Sequence, residues 1–345
     1  MTKLSYEKLN CFISAILEKL AVPSEDAQVV ADVLVQASLR GVDTHGVDLL
    51  PSYVQRTQSG MSNPSPEMKI VKESPAMAVI DADQALGPVS SVFGMKLAIQ
   101  KALSANVGWV NVVNSSHHGA LAYYPMMAAK QDMIGIVTTT TSPCMAPWGS
   151  RQRLVGNTPI AIAVPRHDNS PVVLDMACSF LANGRVRLAK EKEEPLPDGL
   201  SIDAQGEPTC DPECSVAVLP FGNYKGSGMA MMFGFLAGTL AGAPFTAYRK
   251  GFEGGVPSEI SHLLIAVNIS SFSDLEEFKL TVDETIKAWN ESETRSGFDE
   301  VLVPGEIEWR CSVERSQNGI PLHAALETKL RKIAHELGLE FPATV

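Results

Sequence analysis

The apolar residues of this chain follow a helical spacing at both ends and form strand-length runs in between. After Ser24, the segment AQVVADVLVQASL is apolar at helical intervals and stops at Gly41. Ser24 is predicted to cap this helix, because serine favours the N-cap position and two acidic residues follow it in the first turn. A further helix is predicted from about Leu49 to Gly60.

From Ala76 onward the apolar runs have the length of strands. They are AMAVID, GWVNVVN, MIGIVTTT, PIAIAVP and PVVLDMA, separated by turns or by helical stretches such as Val89 to Ala105. Runs of this kind indicate an α/β body whose sheet is largely covered on both faces.

Two amphipathic helices are predicted near the end of the chain, SDLEEFKLTVDETIKAW and PLHAALETKLRKIAHEL, on either side of VLVPGE. We expect the C-terminal helices to pack against the N-terminal ones. The predicted organisation is therefore a helical domain made of residues 1–75 and 297–345 and an α/β domain over residues 76–296.

An uncharged stretch from Gly226 to Tyr248 is long enough to cross a bilayer, which takes about 20 apolar residues. Glycines interrupt this stretch repeatedly, Pro244 falls near its end, and Lys225 stands immediately before it. The predicted structure is a helix buried on every side within the protein core, and no membrane span is expected.

Composition and charge exclude several classes of partner. The chain of 345 residues is 45% hydrophobic, which is typical of a globular protein, and its formal net charge is -11. Such a surface disfavours nucleic acid and anionic lipid, because both require clustered Lys and Arg. The six cysteines fit no zinc ribbon or disulfide scaffold, and MTKLSYEKLN lacks the apolar run of a signal peptide. Reduced thiols in a cytoplasmic protein are expected.

Two polar segments interrupt the apolar pattern, RGVDTHGVDLL around His45 and NSSHHGALAYY around His117. A histidine with a pKa near 6.5 can both take and return a proton at neutral pH. We hypothesise that the two segments form one reaction centre. The alternative for His45 is a histidine that only stabilises a turn between helices.

His117 and His118 are adjacent, so only one of them is expected to face a pocket if the strand geometry persists. A zinc site needs three or four protein ligands, and no suitably spaced Cys, His or Asp accompanies this pair. No metal site is predicted.

No GxGxxG fingerprint is present, and the nearest approach is KGSGMAM, with Met231 at the third glycine position. Lys225 with Gly226 at a helix start would offer a phosphate a cation and free backbone N–H groups, although an ordinary helix start is the alternative. Asp175 ends an apolar strand, where a nucleotide could bind, or it caps the helix that follows.

Six motifs in order resemble the malate/L-lactate dehydrogenase family of NAD(P)-dependent oxidoreductases, over about Leu4 to Leu339. They are DTHGV with PSYVQ, NSSHHG, PWGS with GNTP, LDMACS with ANGRV, NYKGSGM, and VPGE. The resemblance implies a non-Rossmann α/β cofactor domain, a helical domain built from both termini on the substrate side, and a homodimer with a small-molecule substrate.

The resemblance also implies roles for individual residues. His117 corresponds to the acid/base catalyst of some members, and His45 corresponds to the proton donor of others. The substrate side would include Thr44, Leu49 and Ser142. The cofactor, NAD or NADP, would contact Thr141, Asp175, Met176, Ala177, Lys225, Pro304, Gly305 and Glu306.

The chain departs from the family pattern at three places. Thr44 replaces a serine, and Asn157 and Thr158 are exchanged relative to the usual GTNP. Leu49 stands where many members have an arginine that holds the substrate carboxylate, and leucine cannot replace an arginine fork.

The expected function is hydride transfer between a nicotinamide and C2 of a 2-hydroxy or 2-oxo acid, with an open choice between His45 and His117 as the principal acid. Alternatives are a reductase of a cyclic imine carboxylate and a non-catalytic nucleotide-binding protein. Arg185 and Arg187 are either surface residues or ligands of the NADP 2′-phosphate.

Overall fold

The computed structural model of the protein describes residues 2–168, 170–245 and 259–343. The helices in these ranges are α1 Tyr6–Lys19, α2 Ser24–Leu39, α3 Leu50–Gln58, α4 Gly87–Ala105, α5 Tyr123–Ala129, α6 Asn183–Lys192, α7 Tyr224–Ala237, α8 Leu275–Asn290, α9 Glu306–Asn318 and α10 Ala324–Glu336. The strands are β1 Thr2–Leu4, β2 Lys69–Ser74, β3 Met77–Asp81, β4 Val107–Ser115, β5 Met133–Thr139, β6 Ile160–Val164, β7 Val172–Met176, β8 Ser201–Ile202, β9 Ala217–Val218, β10 Ile260–Asn268 and β11 Ile320–Leu322.

The main sheet is mixed, with the strand order β2-β3-β4-β10-β5-β6-β7. β3 and β4 are parallel, β10 is antiparallel to both β4 and β5, and β6 is antiparallel to both β5 and β7. Strands β3, β4, β5 and β7 therefore share one direction, and their carboxyl ends meet at one edge of the sheet. The predicted non-Rossmann mixed-sheet architecture is confirmed.

Alternate residues of β4 show that both faces of the sheet are covered. Val110 and Val112 lie under α4, since a Cβ on Gly94 would fall 3.7 Å and 2.9 Å from their side chains. Asn111 points to the opposite face, where its amide donates to the Leu236 carbonyl of α7 at 2.8 Å. Burial on both faces explains why the strands are nearly continuous apolar runs.

The two ends of the chain share one hydrophobic core. β1 pairs antiparallel with β11, so that Leu4 lies opposite Ile320. We call the buried residues that α1, α2, α3 and α10 contribute the terminal core, and its members include Leu9, Ile13, Leu34, Leu50 and Leu330. The C-terminal segment thus returns to the N-terminal helices as expected, while the division into two domains stays a prediction.

Three elements differ from what the apolar pattern indicates. β2 lies within residues 1–75 but pairs with β3, so the sheet begins before Ala76. α8 contacts the α/β body, where Lys279 Nζ lies 2.6 Å from an oxygen of Asp132. α9 was not predicted, because its sequence EIEWRCSVERSQN is polar and has no fully buried residue.

Ser24 is the first residue of α2 and not its cap, which corrects the prediction. Pro23 occupies the N-cap position with φ -55° and offers no side-chain hydrogen bond. The Ser24 hydroxyl instead donates to the carboxylate of Glu18 at 2.6 Å, because the end of α1 lies beside the start of α2.

Helix α7 is covered on one side only, which corrects the expectation of a helix buried on every side. Its buried residues form a stripe of small side chains, namely Gly226, Ala230, Gly234 and Ala237. Met232 and Phe235, outside this stripe, are 57% and 41% exposed. The last residues of the uncharged stretch, 246–248, lie outside the described residues. None of the helices within the described ranges has the length and apolar character needed to span a membrane.

Candidate active site

The candidate site lies at the edge of the sheet where β4, β5 and β7 end, and the turn between α2 and α3 reaches it. His45 lies on this turn, and His117 lies on the loop after β4. The centroids of the two rings are 6.0 Å apart, and the ring planes differ by 27°. We call His45 and His117 the histidine pair. The structure therefore brings together two side chains that are 72 positions apart in the sequence.

Two glycines allow the backbone segments that carry the histidine pair to approach their neighbours. A Cβ on Gly46 would lie 2.2 Å from the Ser38 hydroxyl of α2, which accepts a hydrogen bond from the Val47 N–H at 3.0 Å. A Cβ on Gly87, the first residue of α4, would lie 2.4 Å from the His117 carbonyl oxygen. Larger residues would push both loops away from the site.

Each ring of the histidine pair is held at Nδ1. The Nδ1 atom of His45 lies 3.0 Å from the Thr44 hydroxyl. The Nδ1 atom of His117 accepts from the Gly119 N–H at 3.2 Å and lies 3.1 Å from the hydroxyl of Tyr53. Neither Nε2 atom has a hydrogen-bond partner among the described residues. Neither is a fully buried polar atom left without a partner, so both retain access to solvent. Both Nε2 atoms are thus open to a ligand.

Tyr53 was not predicted as a site residue, although it belongs to the PSYVQ segment. It is fully buried, and its hydroxyl donates to the backbone carbonyl of His117 at 2.9 Å. With its proton used there, the Tyr53 oxygen can accept a hydrogen bond from Nδ1–H of a charged His117 ring. The Gly119 N–H pairs with the neutral tautomer that carries its proton on Nε2, and the Tyr53 oxygen can also accept from the neutral tautomer that carries it on Nδ1. Nδ1 of His117 therefore has a partner in each state of the ring.

The surroundings keep the histidine pair neutral. Burial foremost, and then the charges of His45, His118 and Arg56, hold the pKa of His117 well below its usual value. Burial and the cation of Arg187 lower the pKa of His45. Both rings are therefore unprotonated bases at neutral pH.

His118, unlike His117, points into the protein core. Its side chain is 3% exposed, and its ring centroid is 4.5 Å from that of His262 on β10. Burial lowers the pKa of His118 to about 4. His262 Nδ1 and Nε2 lie 2.8 Å and 2.9 Å from the hydroxyls of Thr139 and Ser115. His118 and His262 are therefore core residues behind the site, and burial keeps the ring of His118 neutral at neutral pH.

Asp175 does not cap the helix that follows it, which corrects one of the two interpretations. α6 begins eight residues later, and Asp175 instead accepts a hydrogen bond at 2.8 Å from the Ala122 N–H, at the start of α5. One side of Asp175 is open to solvent, but the protein atoms around the carboxylate raise its pKa to about 6. The charges of Arg40 and Glu308 also act on it.

The other predicted cofactor residues near the strand ends lie along the same edge. The Thr141 hydroxyl, after β5, donates to the Asn157 side chain at 3.0 Å, and the Asn157 carbonyl accepts from the Cys178 N–H at 2.7 Å. Met176 and Ala177 are half-buried at the end of β7, and Ser142 is half-buried after Thr141. Thr44 and Leu49 flank His45, and Leu49 packs partly against the terminal core.

The turn formed by Pro304, Gly305 and Glu306 lies at the other end of β7. The Pro304 carbonyl accepts from the Val173 N–H at 3.1 Å. A cavity of about 230 Å³ opens there, lined by side chains that include Ile286 and Trp309. We call it the outer cavity. Val173 is two residues before Asp175, so the cavity and Asp175 are about 7 Å apart along the strand.

Lys225 is exposed in the first turn of α7, close to the end of β7, since a Cβ on Gly226 would lie 2.5 Å from the Cys178 carbonyl oxygen. The predicted free N–H groups are not found at these positions. Lys225 N donates to the Gly222 carbonyl at 3.2 Å, and Gly226 N donates to the Phe221 carbonyl at 3.0 Å. The preceding loop folds back on the helix start and satisfies both groups, so a phosphate would meet mainly the Lys225 ammonium.

Within the described ranges, no group of three His, Cys, Asp or Glu side chains is close enough to hold a metal ion. Two further cations lie near the site: Arg40, which begins the segment RGVDTHGVDLL, and Arg187, which the sequence left as either a surface residue or a ligand of the NADP 2′-phosphate. Arg40 lies at the end of α2 near Asp175, and Arg187 lies on α6 near His45.

Comparison with known proteins decides the family. The family model described as malate/L-lactate dehydrogenase matches residues 4–331. The chain belongs to the malate/L-lactate dehydrogenase family. The curated L-sulfolactate dehydrogenase of Methanocaldococcus jannaschii is 41% identical over 329 residues, which cover 94% of each chain.

Two further comparisons agree with this family. The malate/(S)-sulfolactate dehydrogenase of Methanothermus fervidus is 39% identical over 342 residues, which cover 98% of each chain. The solved structure of sulfolactate dehydrogenase from Methanocaldococcus jannaschii superposes with a TM-score of 0.91 at 40% identity, and the match covers 99% of this chain and 98% of that one. These relatives are dehydrogenases of 2-hydroxy acids by name, and the solved one shares the fold over 99% of this chain.

Proposed function

We propose that this chain is an NAD(P)-dependent dehydrogenase that transfers a hydride between a nicotinamide and C2 of a 2-hydroxy or 2-oxo carboxylic acid. The observation that carries the proposal is the histidine pair, with nearly parallel rings 6.0 Å apart and both Nε2 atoms open. Its place at the carboxyl ends of the strands is the usual ligand position in open α/β sheets. Membership of a dehydrogenase family supports the same reaction class.

In this proposal a dinucleotide, NAD or NADP, lies along the edge of the sheet at β7. Typical ligand pockets have about 300–1,000 Å³, so the outer cavity alone suits only one end of such a molecule. The residues that would hold it are Thr141, Asp175, Met176, Ala177, Lys225, Pro304, Gly305 and Glu306. When bound, the nicotinamide supplies or accepts the hydride.

His117 handles the proton in this proposal. In the oxidation direction the neutral tautomer that carries its proton on Nδ1, where the Tyr53 oxygen can accept it, takes the hydroxyl proton of the substrate at Nε2. In the reduction direction the charged ring returns a proton from Nε2 to the carbonyl oxygen. The Tyr53 oxygen supports this Nδ1–H tautomer, whereas the Gly119 N–H supports the tautomer whose Nε2–H donates to the substrate oxygen. His45 binds the same substrate oxygen or shares this proton, and Thr44 fixes its ring. Ser142 and Leu49 belong to the substrate side.

Assembly and location are further parts of the proposal. Exposed apolar side chains on α7, such as Met232 and Phe235, suit a homodimer contact. The cysteines are all free thiols, as expected for a cytoplasmic protein. The helical domain of residues 1–75 and 297–345 would face the substrate, and residues 76–296 would bind the cofactor.

The test is an assay of NADH and NADPH oxidation with pyruvate, oxaloacetate, sulfopyruvate and phenylpyruvate. We expect oxidation that depends on at least one 2-oxo acid. Oxidation with Δ1-piperideine-2-carboxylate alone would transfer the assignment to imine reduction. Tight nucleotide binding without turnover on any of these compounds would instead make the chain a nucleotide-binding protein.

A further inference from the structure

A 2-oxo or 2-hydroxy acid is an anion at neutral pH, so a binding site for it needs a cation or several N–H groups near the histidine pair. Position 49 is a leucine that packs partly against the terminal core. Three arginines act electrostatically on the site, namely Arg40, Arg56 and Arg187. The question is which of them a substrate can reach.

Two of these arginines are poorly suited to the task. Arg56 is only 8% exposed and lies on α3 among the residues behind the histidine pair. Arg40 is half-buried, and two carboxylates, those of Glu308 and Asp175, act on its charge. A substrate anion at Arg40 would therefore meet two negative charges.

Arg187 differs from both in position and in surroundings. It lies on α6, and the face of this helix that carries Gly184 contacts the turn of the histidine pair, since a Cβ on Gly184 would lie 4.0 Å from the Thr44 Cβ. Arg187 is three residues later and so projects from the same face. It is exposed, and it forms no hydrogen bond or ion pair with any side chain that the structure describes.

The positive charge of Arg187 acts on two side chains of the turn between α2 and α3, those of His45 and Asp48. It is a cause of the lowered pKa of His45, and it acts to lower the pKa of Asp48, although burial raises that pKa overall. A guanidinium beside the histidine pair can bind both oxygens of a carboxylate in parallel.

We propose that Arg187 binds the carboxylate of the substrate and thereby selects acids over neutral carbonyl compounds. This assignment rests on the proposed function. Arg187 supplies from α6 the cation that Leu49 cannot provide. Arg187 would then bind the carboxylate of the substrate, and the histidine pair would bind the oxygen on C2.

The test compares wild type with Arg187→Ala, Arg187→Lys and Lys192→Ala. Lys192 is an exposed cation at the far end of the same helix. Lys192→Ala therefore removes one positive charge from α6, as Arg187→Ala does, and serves as the control. Losing a charge-assisted hydrogen bond should raise KM for a 2-oxo acid about 10- to 100-fold in Arg187→Ala. The dissociation constant for the nucleotide should stay near wild type. Arg187→Lys should lie between, and Lys192→Ala should match wild type.

A neutral analogue makes the test specific for the carboxylate. We expect kcat/KM for the 2-oxo amide that corresponds to the best acid, pyruvamide in the case of pyruvate, to change less than threefold in Arg187→Ala. Added guanidinium should restore part of the lost activity on the acid, because it can occupy the emptied site.

The outcomes separate this inference from the proposed function. If wild type reduces no 2-oxo acid, the proposed function itself fails. If wild type is active and Arg187→Ala keeps its KM for the acid, Arg187 does not bind the carboxylate. Equal losses on acid and amide, or a loss confined to NADPH affinity, would also overturn the inference.

Discussion

Two cations near one end of strand β7 have no ion-pair partner among the described side chains, whereas the arginines around the outer cavity at the other end are paired. Around the outer cavity, Arg166 lies 2.7 Å from Asp168, and Arg310 lies 2.7 Å from Glu300 and 2.6 Å from Glu306. At the other end, Arg187 and Lys225 have no ion-pair partner among the described side chains, and the histidine pair keeps both Nε2 atoms open. Paired charges fix loops, whereas charges without partners remain available to ligands. The histidine end is therefore where we place the chemistry.

The largest expected effect is on turnover, and it tests whether the open Nε2 of His117 acts as the acid/base of the reaction. His117→Ala should lower turnover at least about 100-fold, because a positioned acid/base typically contributes ~100- to 10,000-fold. Nucleotide affinity should stay near wild type, since His117 is not among the cofactor residues. Steady-state kinetics and a fluorescence titration measure the two quantities. His335→Ala, at an exposed histidine of α10, is the control, and turnover undiminished in His117→Ala removes His117 from the mechanism.

The next effect concerns the ammonium of Lys225. Lys225→Ala should raise the dissociation constant for the nucleotide about tenfold, because a charged hydrogen bond to a phosphate is lost while backbone N–H groups at the helix start are already satisfied. Turnover at saturating nucleotide should change little. Lys72→Ala on the exposed strand β2 controls for net charge. An unchanged dissociation constant would place the phosphates elsewhere.

A smaller effect is expected at position 49. Leu49→Arg should raise the preference for pyruvate over phenylpyruvate by a factor on the order of 5, since an added guanidinium binds carboxylate and narrows the substrate side. The ratio of kcat/KM values measures this preference, and Leu49→Met keeps the packing as a control. Added to Arg187→Ala, the same change should recover part of the lost affinity for the acid. An unaltered preference argues against a substrate wall at this position.

The smallest effect is on stability and depends on pH. The pKa of Asp175 is raised from 3.8 to about 6, so the folded state holds this proton more tightly than the unfolded state does. The resulting stability is present below about pH 4 and is lost as pH rises through 6. Because the side chain is open to solvent, we expect Asp175→Asn to be more stable at pH 8 by only about 1 kcal/mol.

Thermal unfolding at several pH values checks the Asp175 prediction. The melting temperature of the variant should exceed that of wild type by about 1–2 °C at pH 8. This difference should shrink as pH falls from 6 towards 4. A variant less stable than wild type at pH 8 would mean that the ionised carboxylate is favoured by its surroundings.

Much of the fold could be predicted from periodicity. Runs such as PIAIAVP became strands within one residue of their predicted ends, because apolar runs flanked by prolines leave few other structures. The two polar segments that interrupt the apolar pattern pointed to the histidine pair, and the family motifs contain both of its members. Periodicity failed at α7, where an uncharged helix presents Met232 and Phe235 to the outside. An apolar sequence alone cannot distinguish a core helix from one that carries an exposed apolar face.

The contacts that support the site could not be predicted from the sequence. Tyr53 holds His117 across 64 positions of sequence, and Asp175 bonds the start of α5 rather than that of its own following helix. Arg187 lies near His45 because the start of α6 approaches the turn between α2 and α3 at Gly184 and Thr44. Each of these contacts depends on tertiary placement, which no local spacing encodes.

The central claim is that the histidine pair and a nicotinamide nucleotide meet at the carboxyl ends of β4, β5 and β7. A crystal structure of the protein with NADH and oxamate, an unreactive 2-oxo acid analogue, tests it most directly. We predict the nicotinamide beside the histidine pair and His117 Nε2 within hydrogen-bond distance of the oxamate carbonyl oxygen. Nucleotide bound at another surface, or oxamate remote from His117, would contradict the account.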